Sequence, residues 1–266
     1  MSVIRAKKYL GQHFLTDRNI ARKIAMSLQA EDCSNVLEIG PGTGMLTSYL
    51  LDRGFENFKV VEIDNEAADY IRDNFKNIGL IKDDFLRMDP DKHFEGKMAV
   101  IGNLPYNISS QIFFRVLEYR DKVCEMVGML QKEVADRIVS APGSKVYGIL
   151  SVLLQAYYNV EYLFTVPPGV FYPRPRVKSA VIRLSRKEGL ALDYDEKLFF
   201  RVVKVTFNQR RKTIRNSLKP LVNTAGIDNI ILSKRPEELG TDGFIQLTKL
   251  LEEIMAQPLR PAGDNG

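Results

Sequence analysis

Cysteine and histidine are scarce in this chain, two of each in 266 residues. Cys33 and Cys124 stand in no metal-ligand spacing with His13 or His93. A zinc site is therefore not expected, nor any other metal, and two isolated cysteines give no framework for a structural disulfide. No apolar run reaches the ~18 residues that a membrane span needs. The basic N-terminus is followed by no apolar h-region of a signal peptide. Internal repeats are lacking too. These absences point to a reducing, cytoplasmic setting with no membrane partner. With 45% hydrophobic residues, the length suffices to bury a full core and allows one large domain plus a smaller one.

What is present is a set of short apolar runs, each ending in a residue with chemistry. Val36 to Ile39 reads as a buried strand, and helical character resumes from Met45 to Leu51. Between them, Glu38-Ile39-Gly40-Pro41-Gly42-Thr43-Gly44 joins a strand to a helix N-terminus. Glycines there permit positive φ and let a ligand lie against bare backbone. A dinucleotide fingerprint wants its third glycine three residues after the second, but position 45 is Met and the glycine is Gly44. That spacing favours S-adenosylmethionine over NAD, because no pyrophosphate needs cradling. A second strand, Phe58 to Ile63, carries Glu62 about twenty residues beyond the loop, where an acid accepts from ribose hydroxyls. A third, near Leu80, ends in Asp84, suited to an adenine amino group.

A fourth strand, Met98 to Gly102, runs into Asn103-Leu104-Pro105-Tyr106. In open α/β sheets this C-terminal end of a strand is where ligands bind. An adenine amine is a poor nucleophile because its lone pair is delocalised into the ring. Two acceptors aimed at its hydrogens, the Asn103 side-chain carbonyl and the Leu104 backbone carbonyl, favour a pyramidal nitrogen with its lone pair directed at a methyl sulfonium. Pro105 fixes φ and helps hold that carbonyl. Tyr106 offers a ring on which the base can stack.

These motifs, in this order, resemble the ribosomal RNA adenine dimethyltransferases that modify two adjacent adenosines near the 3′ end of small-subunit RNA. The resemblance covers nearly the whole chain. It includes Lys8 to Leu15, the donor loop Glu38 to Gly44, Asn103 to Ser109, Leu130 to Arg137, Val166 to Val177 and Phe207 to Arg215. It implies that His13, Leu15, Gly40, Glu62, Asp84 and Asn103 contact the methyl donor, with Gly42 and Gly44 in the same loop. His13 is a departure, since Asn is the commoner residue there; a neutral imidazole can also donate one hydrogen bond and accept another. Phe171 is implied as the second aromatic that sandwiches the target base opposite Tyr106. The resemblance further implies a role in small-subunit biogenesis with an assembling 30S particle as partner; a monomer is expected because nothing in the sequence suggests an obligate dimer.

Charge and patterning fit that resemblance. Between Tyr172 and Pro220, fourteen Lys or Arg stand against four Asp or Glu, a balance of +10, whereas the whole chain is +5. Arg174 in the Pro-rich loop and Arg210, Arg211, Lys212 and Arg215 in the basic block are candidate RNA contacts. Such contacts position a substrate without choosing its base. The alternation of apolar and amphipathic runs up to about Ser185 predicts an α/β fold, a Rossmann-like class I methyltransferase sheet closed by an antiparallel pair, Ala156 to Val166 with Ser179 to Leu184. After that, helices over Glu196 to Phe207, Arg210 to Leu221 and Phe244 to Met255 predict a small C-terminal helical domain. The expected division is 1–187 for methyl transfer, beginning with a segment that binds RNA and cofactor, 188–257 for RNA binding and 258–266 as a disordered tail. Two rivals share the catalytic motif: a large-subunit RNA adenine methyltransferase of the antibiotic-resistance type and, less well, a DNA adenine methyltransferase. A third makes the protein chiefly an assembly factor, with binding more important than transfer.

Overall fold

The computed structural model describes residues 4–30, 33–76, 78–190 and 193–256; the tail expected to be disordered lies outside them. Tertiary contacts divide the chain into two compact units, Met1–Val139 with Tyr157–Glu188, and Ser140–Ala156 with Gly189–Gly266.

The first unit opens with a two-residue strand β1 (Phe14–Leu15) and α1 (Arg18–Ser27), which Asp17 caps by accepting from the Ile20 amide at 3.0 Å. Then follow β2 (Asn35–Ile39), α2 (Met45–Leu51), β3 (Asn57–Val61), α3 (Asn65–Asn74), β4 (Gly79–Ile81), β5 (Met98–Asn103), α4 (Ser109–Glu118), β6 (Val123–Gln131) and α5 (Lys132–Val139). Past α6 (Ile149–Tyr157) the unit resumes with β7 (Tyr158–Val166), β8 (Phe171–Tyr172) and β9 (Ser179–Arg186). Seven strands form one sheet in the order β4-β3-β2-β5-β6-β9-β7. Its first five strands are parallel, and β9 pairs antiparallel with both β6 and β7. The apolar runs are continuous because the central strands are covered on both faces: every residue of β2 is buried, and so are the first five of β5.

The sheet has its switch point between β2 and β5, since β3 continues on one side and β6 on the other. Ile39 pairs with Gly102 across that point, so the glycine loop and Asn103 leave the sheet side by side. Gly102 has to be glycine, because a Cβ there would lie 2.7 Å from the Ile39 carbonyl.

The second unit contains most of α6 together with α7 (Glu196–Asn208), α8 (Ile214–Ser217) and α9 (Thr241–Ala256). The sequence reading assigns Ser140–Ala156 to the first region, whereas the structure groups it here. Gly143 donates to the Glu237 carbonyl at 2.7 Å, Arg210 donates to the Ser144 carbonyl at 3.0 Å, and the Tyr147 and Phe207 ring centroids are 6.1 Å apart. The helix expected over Arg210 to Leu221 shrinks to the single turn of α8, for a reason given below.

The fold brings Cys33 beside Cys124, with Cα atoms 6.9 Å apart although the two lie 91 residues apart in sequence. The turn after α1 is pinned to β6, where the Glu125 carboxylate accepts from the Gln29 and Ala30 amides, and this carries Cys33 to Cys124.

Candidate functional site

A cavity opens at the switch point. It is lined by the segment Leu10 to Phe14, by Ile39, Gly40 and Gly42, by Val61 to Ile63 at the end of β3, by Asp83 to Leu86 after β4, and by Asn103 to Ile108 at the end of β5. Each lining segment outside the N-terminal one lies at or just past the C-terminal end of a parallel strand, where the chain leaves its ladder and frees backbone groups for a ligand.

On the donor side, Gly40 has φ +63 and nothing within 4 Å of where a Cβ would stand. Bare backbone there faces open space. Glu62 is only 5% exposed; burial pushes its carboxyl above the usual range, and the amides of Asp64 at 2.9 Å and Gly42 at 3.3 Å offset part of that by donating to it. A buried carboxylate with unused acceptor capacity fits the hydroxyl pair of a ribose. Asp84 accepts from the Leu86 amide at 2.9 Å and lines the cavity beside Phe85. These residues suit a nucleoside-bearing cofactor. Among the described residues no cluster of His, Cys, Asp or Glu could hold a metal, and no helix is long and apolar enough to cross a membrane.

Two donor-side residues are absent from the cavity lining. The Leu15 side chain is 4% exposed and belongs to the core, while its neighbour Phe14 lines the cavity and rests on Gly42, where a Cβ would meet the ring at 2.9 Å. Gly44 does not line the cavity; it admits the Phe75 ring, which a Cβ would meet at 2.3 Å. Both placements follow from burial patterns of one or two residues, too short to read in a sequence.

On the acceptor side, Asn103 is fixed by what its amide nitrogen does. Nδ2 donates to the His13 backbone carbonyl at 2.8 Å. The reverse orientation would set two carbonyl oxygens against each other, so Oδ1 is the atom left for a ligand. Leu104 is a buried plug, 1% exposed, and its side chain packs on Gly128 and Gly102. Its amide donates to the Met129 carbonyl at 2.9 Å, tying the tetrapeptide to β6. The Tyr106 hydroxyl is hydrogen-bonded to Ser179 at the start of β9, and burial raises its pKa. Its ring meets the His13 imidazole at 5.0 Å, while His13 Nδ1 lies 2.7 Å from the Pro173 carbonyl. A carbonyl only accepts, so Nδ1 carries the proton.

Phe171 is not brought to the cavity. Its ring is 4% exposed and packs into the core with Leu15 and Val166. The exposed ring of that strand is Tyr172. Of the RNA candidates, Arg174, Arg211 and Lys212 are exposed. Arg210 and Arg215 are spent on their own unit: Arg210 on the Ser144 carbonyl, Arg215 on the carbonyls of Thr224 and Ile227. Guanidinium groups used this way hold loops, which is why no long basic helix forms.

The N-terminal segment implied by the resemblance is held as a strap, residues 7–16, by contacts that the sequence does not display. Lys7 Nζ lies 2.5 Å from Asp64, Gln12 donates to the same carboxylate at 3.1 Å, and Asn107 donates to the Tyr9 carbonyl at 3.3 Å. Gly11, at φ +64, lies so close to Asn107 that a Cβ would fall 2.4 Å from its side-chain oxygen. The glycine inside Lys8 to Leu15 was the available signal.

Comparison with known proteins agrees with this geometry. A family model described as ribosomal RNA adenine dimethylase matches residues 3–235. A protein of Parabacteroides distasonis named ribosomal RNA small subunit methyltransferase A is 52% identical over 268 residues, covering 99% of each chain. One of the same name from Flavobacterium johnsoniae is 53% identical over 256 residues, 95% of this chain and 98% of that one. Among solved structures, a dimethyladenosine transferase from Plasmodium falciparum superposes with TM-score 0.76 at 22% identity, over 91% of this chain and 98% of that one. The 23S rRNA methyltransferase ErmE gives 0.65 at 26% identity, over 89% and 99%.

Proposed function

The chain belongs to the ribosomal RNA adenine dimethylase family, and from that premise we propose that it transfers methyl groups from S-adenosylmethionine to the exocyclic amines of two adjacent adenosines near the 3′ end of small-subunit RNA. The observation that carries the chemistry is the orientation of Asn103, a residue of the cavity lining whose Nδ2 is committed to the His13 carbonyl and whose Oδ1 is thereby left as the acceptor. The small-subunit substrate is supported by the names of relatives about half identical over nearly the full chain.

When bound, S-adenosylmethionine supplies a methyl that its sulfonium already makes electrophilic, so the protein's work is positioning. Glu62 and Asp84 hold the nucleoside end, with Gly40 leaving room for it. Asn103 and the Leu104 carbonyl accept the amine hydrogens and turn the nitrogen lone pair toward the donor. Tyr106 is the platform for a base that has left its stack, offsetting part of the unstacking cost. After one transfer the methylated nitrogen gives a proton to water and keeps one hydrogen, so the second transfer uses one acceptor and leaves the other unused. Arg174 in the first unit and Arg211 and Lys212 in the second are the exposed cations proposed to meet phosphates. The partner on this reading is an assembling small subunit, met by a monomer that also serves its biogenesis.

The test is transfer of labelled methyl to small and large subunits purified from cells lacking the enzyme, with the nucleosides identified by mass spectrometry. Dimethyladenosine at two adjacent small-subunit positions is expected; label confined to the large subunit would move the assignment to the resistance-type relatives. In the same assay Asn103→Ala lowers the rate by roughly a hundredfold while subunit binding changes little. Equal losses in both would sink the positioning role of Asn103.

A further inference from the structure

Resting on the reading of the cavity as an adenosine methylation site, we propose that Tyr172 is a second aromatic platform for the RNA. The base next to the target adenosine stacks on its ring, and Arg174, Arg176 and Lys178 meet the phosphates around it. Strand register fixes which way the ring turns. β1 and β8 pair antiparallel, with Phe14 opposite Tyr172 and Leu15 opposite Phe171. Residues directly opposite in such a pair share a face of the ribbon. Leu15 and Phe171, each 4% exposed, occupy the inner face. Phe14 lines the cavity and rests on the glycine loop. Tyr172 therefore stands on the cavity side, and it is 71% exposed.

The structure also says which base it serves. The His13 imidazole lies between Tyr106, at 5.0 Å, and the Pro173 carbonyl, at 2.7 Å. The His13 ring thus stands between Tyr106 and the Pro173 carbonyl, which assigns Tyr172 to a neighbouring base rather than to the one on Tyr106. A substrate made of two adjacent adenosines presents a neighbouring base in either transfer. The loop suits a polyanion: residues 172–178 read Tyr-Pro-Arg-Pro-Arg-Val-Lys with no acid, and Arg174, Arg176 and Lys178 are all exposed. Pro173 and Pro175 restrict the loop backbone, which lowers the entropy lost when RNA orders it.

The experiment compares the full-length wild type with Tyr172→Ala and Tyr172→Phe on small subunits that lack the modification. KM for subunits, kcat, and the equilibrium affinity for S-adenosylhomocysteine are all measured. Tyr172→Ala should raise KM about tenfold, the effect of one lost base–aromatic stack. It should lower kcat by less and leave the S-adenosylhomocysteine affinity within about twofold. Tyr172→Phe, which keeps the ring, should restore the wild-type KM. An unchanged KM in the alanine variant overturns the proposal, as does a phenylalanine variant just as defective. A parallel loss of S-adenosylhomocysteine affinity would mean that the residue only holds the ribbon, and overturns it too. If the wild type labels only large subunits, the small-subunit reading fails, and the same KM comparison on large subunits still decides the role of Tyr172.

Discussion

Glu38 and Glu62 sit twenty-four residues apart in sequence and beside the same loop, yet they differ in what they can do. Glu62 lines the cavity and takes two backbone amides; Glu38 is 1% exposed, outside the cavity lining, and accepts from the Thr47 hydroxyl at 2.7 Å. Burial pushes the Glu38 carboxyl up to about 8, with Thr47 pulling the other way and the nearby Glu62 adding a smaller push upward. A folded pKa above the unfolded one means that its contribution to stability is intact below the unfolded value, near 4.5, and is lost as pH rises toward and through 8. Over that window the slope is about 1.4 kcal/mol per pH unit at most. Glu38→Gln keeps an acceptor for Thr47 and cannot ionise. The variant should therefore gain stability relative to the parent progressively between pH 5 and pH 8, read as diverging urea midpoints. Parallel profiles across that range would show that Glu38 is ionised in the folded protein.

At the scale of elements, the strap and the sheet illustrate what a sequence can and cannot convey. The strands β2 and β5 and the helix α2 were legible because a covered parallel strand is an unbroken apolar run and its flanking helix starts where a motif ends. The β1–β8 ribbon was not, since two-residue strands carry no period, and so the inward turn of Phe171 and the outward turn of Tyr172 stayed hidden. The basic block from Arg210 to Arg215 read as a helical face because charge shows and the carbonyls it serves do not. The strap depends on a single buried acid: Asp64 caps α3 through the Glu66 amide at 3.0 Å and holds Lys7 and Gln12. Burial alone would raise its pKa, but the hydrogen bonds from Lys7, Gln12 and the Glu66 amide outweigh it and hold the carboxyl below its usual value of 3.8. The tie is thus intact at neutral pH and fails only as pH falls through that lowered value. Asp64→Asn preserves the cap and removes the ion pair. Trypsin should then cut at Lys7 or Lys8 several times faster, and donor affinity should fall about tenfold while the melting temperature moves little. Unchanged cleavage with unchanged affinity would mean that Asn103, Asn107 and the β1–β8 pairing hold the strap without the ion pair.

The whole molecule is not a string of two segments. The second unit takes Ser140–Ala156 from the middle of the first, and that piece is largely apolar: Leu150, Val152, Leu153, Leu154 and Ala156 are all buried. A division at residue 187, natural on composition because the helical pattern and the positive charge both change there, cuts the chain between one part of the second unit and the other. The consequence is testable by truncation. A chain ending at Glu188 keeps every strand of the sheet and every residue lining the cavity. It also keeps α6, but without Phe207, Arg210 or Glu237, three of the residues that meet the segment before that helix. Exposed apolar surface of that kind drives association. The truncated chain should aggregate when expressed. The same truncation with Ser140–Ala156 replaced by a Gly/Ser linker of equal length should be soluble and should bind S-adenosylhomocysteine within about threefold of the full chain, while methylation of subunits is lost with Arg211 and Lys212. A soluble, monomeric 1–188 chain would mean that α6 finds its burial within the first unit, and would return the boundary to where the sequence alone put it.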